Sequence, residues 1–355
     1  MKTKFLNIIG ILGLSLLLVT SSFAISSTPV GYVTFTVKAG SDLKLGINMD
    51  QAASFSGAVS SVTSGAIDAG SAVGDLTTVA HFVRITTGAL AGNWYEVTSA
   101  SANEINVAEN LASLGLLAND EFTVIPFWTY DTLMPGGGGL TTSSNIFGSS
   151  PIEVYTYNPA DPGVNNASTG AYVYDAVGML GFTGWVNVAT FGPGGSDRIN
   201  PDTFIQIRNN TTSDENFVLA GTVPTSNIAF NVVTASTAQD NLIYNPFPAA
   251  VSLASSGLET DGAINPSFNI FDPNSTDTLF VYSMDSTGLN PATSAAYVYD
   301  AVGMLGFTGW VNLATFAPAG AETIEPGQAI MIRKAPGTPT DSTWSANIPY
   351  TLTTE

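Results

Sequence analysis

The sequence predicts an all-β chain: a small antiparallel barrel followed by two duplicated sandwich-like β modules. Three observations carry this. Residues 171–187 and 296–312 both read AYVYDAVGMLGFTGWVN, and the register persists at an offset of 125 through Asp197/Glu322, Pro201/Pro326, Ile205/Ile330 and Arg208/Arg333. Glycine and proline are abundant, 35 and 19 of 355 residues, and only 10% of residues are charged, which favours short strands joined by turns over long helices. Apolar and polar residues alternate over Tyr32–Val37, placing Val33, Phe35 and Val37 on one face of a strand.

Residues 1–24 read as a signal peptide: Lys2 and Lys4, an apolar run, then Ser22-Phe23-Ala24 with small residues at −3 and −1, so cleavage is expected before Ile25. The apolar run is short for a membrane span, and no later stretch is apolar enough for one. Export places the chain in the periplasm, at the cell surface or outside the cell. Removing the leader takes two lysines and no acid, moving the formal charge from −19 to −21. Nucleic acid is not an expected partner of so acidic a chain. There is no cysteine, so stability must come from buried cores rather than disulfides.

Strand Tyr32–Val37 is followed by a second over Ser41–Asn48. Residues 54–126 have a different texture, five or six short strands closed by Gly, Asn or Asp, and with the preceding strands they make up the N-terminal region 25–126. Residues 127–151, with PGGGG, read as a Gly-rich connector; no Lys-Ser/Thr follows, so a phosphate loop is not indicated. Copy 1 spans 152–235, with strands near Val154–Tyr157, Tyr172–Tyr174, Trp185–Val188, Phe204–Arg208, Phe217–Ala220 and Ile228–Val233. Copy 2 spans 236–355, with strands near Leu242–Tyr244, Leu279–Tyr282, Tyr297–Tyr299, Trp310–Leu313 and Ala329–Arg333. The segment from Asp120 to Phe127 echoes that from Asp240 to Phe247. Ser41–Met49 is a weaker third instance, which would make the small barrel an insertion into the first module.

The ordered set SDLKLGINM, FSGAVSSVTSG, NDEFTVIPFWT, INPDTFIQIRN, AQDNLIYNPF and IEPGQAIMIRK resembles an uncharacterised family of exported β-rich proteins from Verrucomicrobia and related bacteria. The likeness covers nearly the whole mature chain and brings no established activity with it. The chain departs from that pattern in its long GMLGFTG loop, identical in both copies.

That loop is the most unusual feature. Between Asp175 and Gly184 lie Val177, Met179, Leu180 and Phe182, where a hairpin loop is ordinarily polar. Such a loop either folds back to plug its own domain, the favoured reading, or presents a patch to a partner. In the second case Met179, Phe182, Trp185, Met304, Phe307 and Trp310 are the contact residues, for a neighbouring subunit or a polysaccharide. Arg208 and Arg333 end equivalent strands and are expected to be structural, with Asp175–Arg208 and Asp300–Arg333 as candidate ion pairs.

His81 is the single histidine and sits in an alternating strand, a position that suits a structural residue better than a base. No metal site and no cofactor are expected. Asp272-Pro-Asn274-Ser-Thr-Asp277 offers oxygen ligands for calcium but lacks the Gly and terminal Glu of an EF-hand loop, so a solvated acidic turn is the better reading. Carboxylates are plentiful, yet no spacing singles out a hydrolytic pair. The sequence thus points to a non-enzymatic structural or adhesive protein of the envelope or matrix, with polysaccharide binding second and a carboxylate hydrolase a distant third.

Overall fold

The computed structural model describes residues 29–351; the expected leader, residues 1–24, lies outside the described residues. The chain is all-β and consists of two equivalent sandwich units, with a curled sheet inserted into the first. Among the described residues no helix is long and apolar enough to cross a membrane.

In the first unit, alternation in Val30–Val37 buries Phe35 and Val37. This strand pairs antiparallel with Glu215–Thr222 to form one layer. The facing layer is a six-stranded antiparallel sheet in the spatial order Gly192–Pro193, Gly184–Asn187, Gly170–Asp175, Ile152–Thr156, Phe204–Asn209, Ser41–Gly46. Phe35, Phe217 and Leu219 of the pair meet Leu45, Val154, Ile205 and Ile207 of the sheet in a shared apolar core.

The second unit repeats this plan. Ile228–Thr234 pairs with Thr340–Ala346. Gln239–Tyr244, Ala329–Lys334, Thr278–Val281, Ala295–Asp300 and Gly309–Asn312 make the facing sheet, and Phe230 and Trp344 pack on Tyr244, Leu279, Ile330 and Ile332. The strand at 228–234, expected in copy 1, therefore belongs to the second unit. Its edge pairs with Thr340–Ala346, and its apolar residues Ile228, Phe230 and Val232 pack in the core of the second unit.

The strand equivalent to Gln239–Tyr244 is Ser41–Gly46 and not Glu121–Pro126, which lies in the inserted sheet. Asp42 and Asp240 occupy matching places 198 residues apart, whereas Arg208 and Arg333 are 125 apart. The first unit accordingly carries 73 extra residues between its second strand and the rest. These residues form a seven-stranded sheet instead of the five or six strands read from the sequence. Phe55–Ala58 pairs with Glu121–Pro126 and, after a two-residue bend, Ser61–Thr63 pairs with Ala66–Asp68. One bent strand thus serves both edges and curls the sheet into a half-barrel around Ile67, Val83, Ile85, Ile105 and Phe122.

The Gly-rich stretch is not an extended connector. Thr129 caps a helical turn at Tyr130–Leu133, and Gly136, Gly137, Gly138 and Gly139 all have positive φ, winding the chain into a compact turn. Gly137 is buried there, with its Cβ position 3.5 Å from the Tyr174 ring.

The two units embrace reciprocally. The loop 157–169 of the first unit reaches the edge strand of the second: Gly163 N–H donates to Gln239 Oε1 (2.7 Å) and Asn165 N–H to Asp240 Oδ2 (2.7 Å). The loop 282–294 of the second unit returns the contact, with Gly288 N–H donating to Ser41 Oγ (2.8 Å) and Asn290 N–H to Asp42 Oδ2 (2.6 Å). Between them, buried Tyr244 lies over Gly46, where an added Cβ would sit 1.9 Å from the ring. Its hydroxyl reaches the carbonyls of Ile47 and Pro201.

Candidate functional site

The repeated loops are set by one carboxylate each. Asp175, fully buried, accepts the N–H groups of Val177 (2.9 Å), Gly178 (2.9 Å) and Met179 (2.7 Å). Asp300 does the same for Val302, Gly303 and Met304 at 3.0, 2.9 and 2.7 Å. Three backbone donors that a loop would otherwise present to solvent are thus tied to the end of the strand. Leu180 and Phe182 fold back onto Ile146, Val173 and Val186, and Leu305 and Phe307 onto Ile270, Val298 and Val311. The loop therefore covers the outer face of its own sheet while leaving Val177, Met179, Val302 and Met304 exposed.

Trp185 and Trp310 do not serve as open contact faces. They are 2% and 5% exposed and point into the inner cores, because alternation along Gly184–Asn187 and Gly309–Asn312 sends the tryptophan to the face opposite the loop. Arg208 and Arg333 are structural, but their expected partners were wrong. Arg208 forks onto Asp42 (Nε to Oδ1 2.7 Å, Nη2 to Oδ2 2.9 Å) and Arg333 onto Asp240 with the same two distances. Asp175 and Asp300 are occupied by loop amides, and the strands facing the arginines in register are Ser41–Gly46 and Gln239–Tyr244. The Asp42 and Asp240 hydrogen bonds push both guanidinium pKa values further up.

A second duplicated feature escaped the sequence reading. Ser143-Ser-Asn145-Ile146-Phe147 and Ser267-Phe-Asn269-Ile270-Phe271 form equivalent turns, in which the serine Oγ accepts the asparagine N–H and the asparagine Oδ1 accepts the phenylalanine N–H. Each turn buries its isoleucine under the repeated loop and exposes its phenylalanine, at 62% for Phe147 and 57% for Phe271. Phe147 meets Phe191 with ring centroids 5.6 Å apart, and Phe271 meets Phe316 at 5.7 Å. Phe191 and Phe316 are themselves exposed and hold φ of 53° and 56°. That left-handed conformation disfavours a bulky side chain by about 1 kcal/mol or more. An Asn-Ile-Phe recurrence 124 residues apart was the signal available for it.

The two units differ at one place beside the repeated loop. In the first, Met134 and the glycine turn lie over Tyr174, and the Met134 carbonyl accepts the Trp185 indole N–H at 3.1 Å. In the second, the matching Ser252-capped turn at Leu253–Ser255 leads elsewhere, and Trp344 takes the bond to the Ser256 carbonyl at 2.7 Å. An open groove of about 470 Å³ remains beside Tyr299, Phe307 and Trp310, with Glu259 on its wall.

His81 is buried, its ring nitrogens meeting Ser54 Oγ at 2.9 Å and the Val79 carbonyl at 2.8 Å. Asp272 turns its carboxylate to the Asn274 N–H and Ser275 hydroxyl, which lowers its pKa, while Asp277 pairs with buried Lys334. Those two acids serve separate partners and do not converge on a common ligand position. Among the described residues no group of three or more His, Cys, Asp or Glu gathers to hold a metal. No family model, no curated protein and no solved structure matches the chain.

Proposed function

We propose that the chain is a non-catalytic structural or adhesive component of the cell envelope or extracellular matrix, related to the exported β-rich family it resembles, and that it works through two equivalent apolar contact faces. The observation that carries the reading is the pair of exposed aromatic couples, Phe147/Phe191 and Phe271/Phe316, beside exposed Met179 and Met304. An exposed phenylalanine held in a left-handed conformation is unfavourable twice over, in solvation and in backbone strain, and it recurs in both units. Two copies of one face make a single chain bivalent, which suits assembly with further copies or attachment at two points. Polysaccharide stacking on Trp185 and Trp310 has less support, since neither ring offers a free face.

Sedimentation of the mature protein over a concentration series, with and without calcium, tests the reading. The wild type is expected to assemble with concentration. The Phe191→Gly/Phe316→Gly variant is expected to stay monomeric while losing little or no stability, because glycine relieves the positive φ. A wild type that remains monomeric throughout, or a variant that assembles equally well, overturns it.

A further inference from the structure

We propose that strand Val30–Val37 of the first unit is a docking edge for a second copy of the chain, which lays its own Val30–Val37 antiparallel beside it and extends the two-stranded layer. The inference rests on the assembly reading for its partner, a second copy, and uses a surface distinct from the aromatic couples. It starts from the direction of the backbone groups. Val223 N–H donates to the Pro29 carbonyl, while Thr222 exchanges both of its backbone bonds with Asp50. In the register Val30↔Thr222 through Val37↔Glu215, it is therefore Gly31, Val33, Phe35 and Val37 that bond to Glu215–Thr222, and Tyr32, Thr34 and Thr36 turn their N–H and C=O groups outward. Among the described residues these outward groups have no protein partner. The strand is peripheral on its inner side as well, since Val33 is only half-buried while Phe217 and Leu219 of the neighbouring strand are fully enclosed.

The second unit shows the same layer with its edges stopped. There Phe230 stacks on Trp344 as Phe35 stacks on Phe217. The outward groups are taken up: Ala229 N–H by the Gly92 carbonyl of the inserted sheet (3.0 Å), Val233 N–H and C=O by the Asn241 side chain (2.7 and 3.0 Å), and Ser345 N–H by the Asp261 carboxylate (2.9 Å). The first unit has Leu43 where the second has Asn241, and the second unit carries no insertion that could cover its neighbour in return. An open edge is ordinarily guarded by a charge, a proline or a bulge. Val30–Val37 has none of these, and it exposes Val30 and Tyr32 at 76% and 77% on its outer face. Charge favours a second copy at this edge over the opposite one. In a chain at −19, like charges hold copies apart over most of the surface. Val30–Val37 is uncharged and the adjoining Lys38 is paired with Asp214, so two such strands meet without repulsion. The opposite edge is closed at Thr222 by Asp50 and carries the acid Glu215 at its other end. An antiparallel pair centred on Thr34 sets Thr34 opposite Thr34 and Tyr32 opposite Thr36 of the second copy, each pair exchanging both backbone bonds. Such an edge buries less than the ~1,200 Å² of a stable interface. It acts where the aromatic faces already hold copies at a high effective concentration.

Thiol trapping on the mature chain tests this, because the chain has no cysteine and one introduced thiol reports one place. At ~1 mM chain, near the dissociation constant expected of so small a contact, a short bismaleimide should convert Thr34→Cys to a covalent dimer and leave Val218→Cys, on the opposite edge, monomeric. The same dimer is expected from Thr34→Cys in the Phe191→Gly/Phe316→Gly chain, which sedimentation at ~10 μM, far below that dissociation constant, reads as monomeric. A wild type that does not assemble in sedimentation thus counts against the aromatic faces, whereas absence of the Thr34→Cys dimer counts against the edge. Hydrogen exchange reads the unmodified chain. Half of the edges are paired when the concentration equals the dissociation constant, so the Tyr32, Thr34 and Thr36 amides should exchange at least about twofold slower at ~1 mM than at ~10 μM chain. Those of Val218 and Ala220 should not change. No dimer from Thr34→Cys, equal trapping of Val218→Cys, preferential trapping of Thr34→Cys to Val218→Cys in a mixture, or exchange at Tyr32, Thr34 and Thr36 that is independent of concentration each overturns the proposal. The exchange measurement stands even if a variant fails to fold.

Discussion

Asp42→Ala probes the clasp that joins the two units. Asp42 is fully buried and accepts three hydrogen bonds, two from the Arg208 fork and one from the Asn290 N–H of the other unit at 2.6 Å. Removing the carboxylate strands a guanidinium whose side chain is 18% exposed and releases the loop that carries Asn290. Loss of one partner from a buried ion pair costs about 3–5 kcal/mol, and the residual exposure of Arg208 places this case at the lower end, about 3 kcal/mol. For units of this size that corresponds to a fall of roughly 6–12 °C in Tm. Asp240→Ala should cost less, about 2 kcal/mol, because Arg333 is 31% exposed and recovers more hydration. Urea unfolding at neutral pH reads both, and hydrogen exchange should show faster exchange in residues 283–294 for Asp42→Ala and in 158–168 for Asp240→Ala. A double-mutant cycle between Asp42 and Arg208 should show coupling, while one between Asp175 and Arg208 should be additive within about 0.5 kcal/mol. A cost under about 1 kcal/mol for Asp42→Ala, or stronger coupling to Asp175, refutes the clasp.

Other substitutions follow from the same contacts. Gly46→Ala puts a methyl group 1.9 Å from the Tyr244 ring, which its two hydroxyl contacts hold in place; the expected loss exceeds the ~1–3 kcal/mol of ordinary overpacking, and Tyr244→Ala in the same chain should relieve part of it. Absence of rescue in urea unfolding argues against the ring as the obstacle. Asp202, with Oδ1 shut away from solvent and unpartnered, has its pKa pushed up to about 6 by burial. The native state therefore binds this proton more tightly than the unfolded chain does, and stability should fall as pH rises from about 4 to 6 and then level off. Asp202→Asn should remove that part of the slope; parallel stability profiles for wild type and variant contradict the assignment.

The duplicated architecture was legible because duplication leaves a register that can be read without knowing the fold, and because alternation in segments such as Val30–Val37 fixes which face is buried. The unit boundary was not legible. Ile228–Thr234 follows the first copy in sequence but finds its partner in Thr340–Ala346, more than a hundred residues on, and no local signal encodes that pairing. The ion pairs failed for a related reason. The offset of 125 located both arginines but drew attention to Asp175 and Asp300, which share it, whereas Asp42 and Asp240 stand 198 apart because the half-barrel intervenes. The glycine turn was misread because composition alone does not distinguish a flexible run from one wound tightly enough to bury Gly137.

The 17 identical residues can now be divided by what packing demands of them. Tyr172 and Trp185 fill the inner core, Val173 and Val186 the outer one, Asp175 ties the loop, and Gly178, Gly181 and Gly184 hold positive φ that other residues would strain to adopt. Leu180 and Phe182 cover the outer cluster. Identity at these places requires no partner molecule. Val177 and Met179 are different: they are exposed apolar residues at a loop tip, and they recur as Val302 and Met304. So are Phe191 and Phe316, which keep a strained backbone just beyond the identical stretch. These positions gain little from the fold of a single chain and cost it something in hydration or strain, so an external contact is the simplest physical account of why both units carry them. The groove beside Trp310 is different, since there the repeated-loop residues match those of the first unit while the neighbouring turn does not. The common contact face and the groove of the second unit are thus separable features of one duplicated scaffold, and substitutions at Phe191 should leave the groove unaffected.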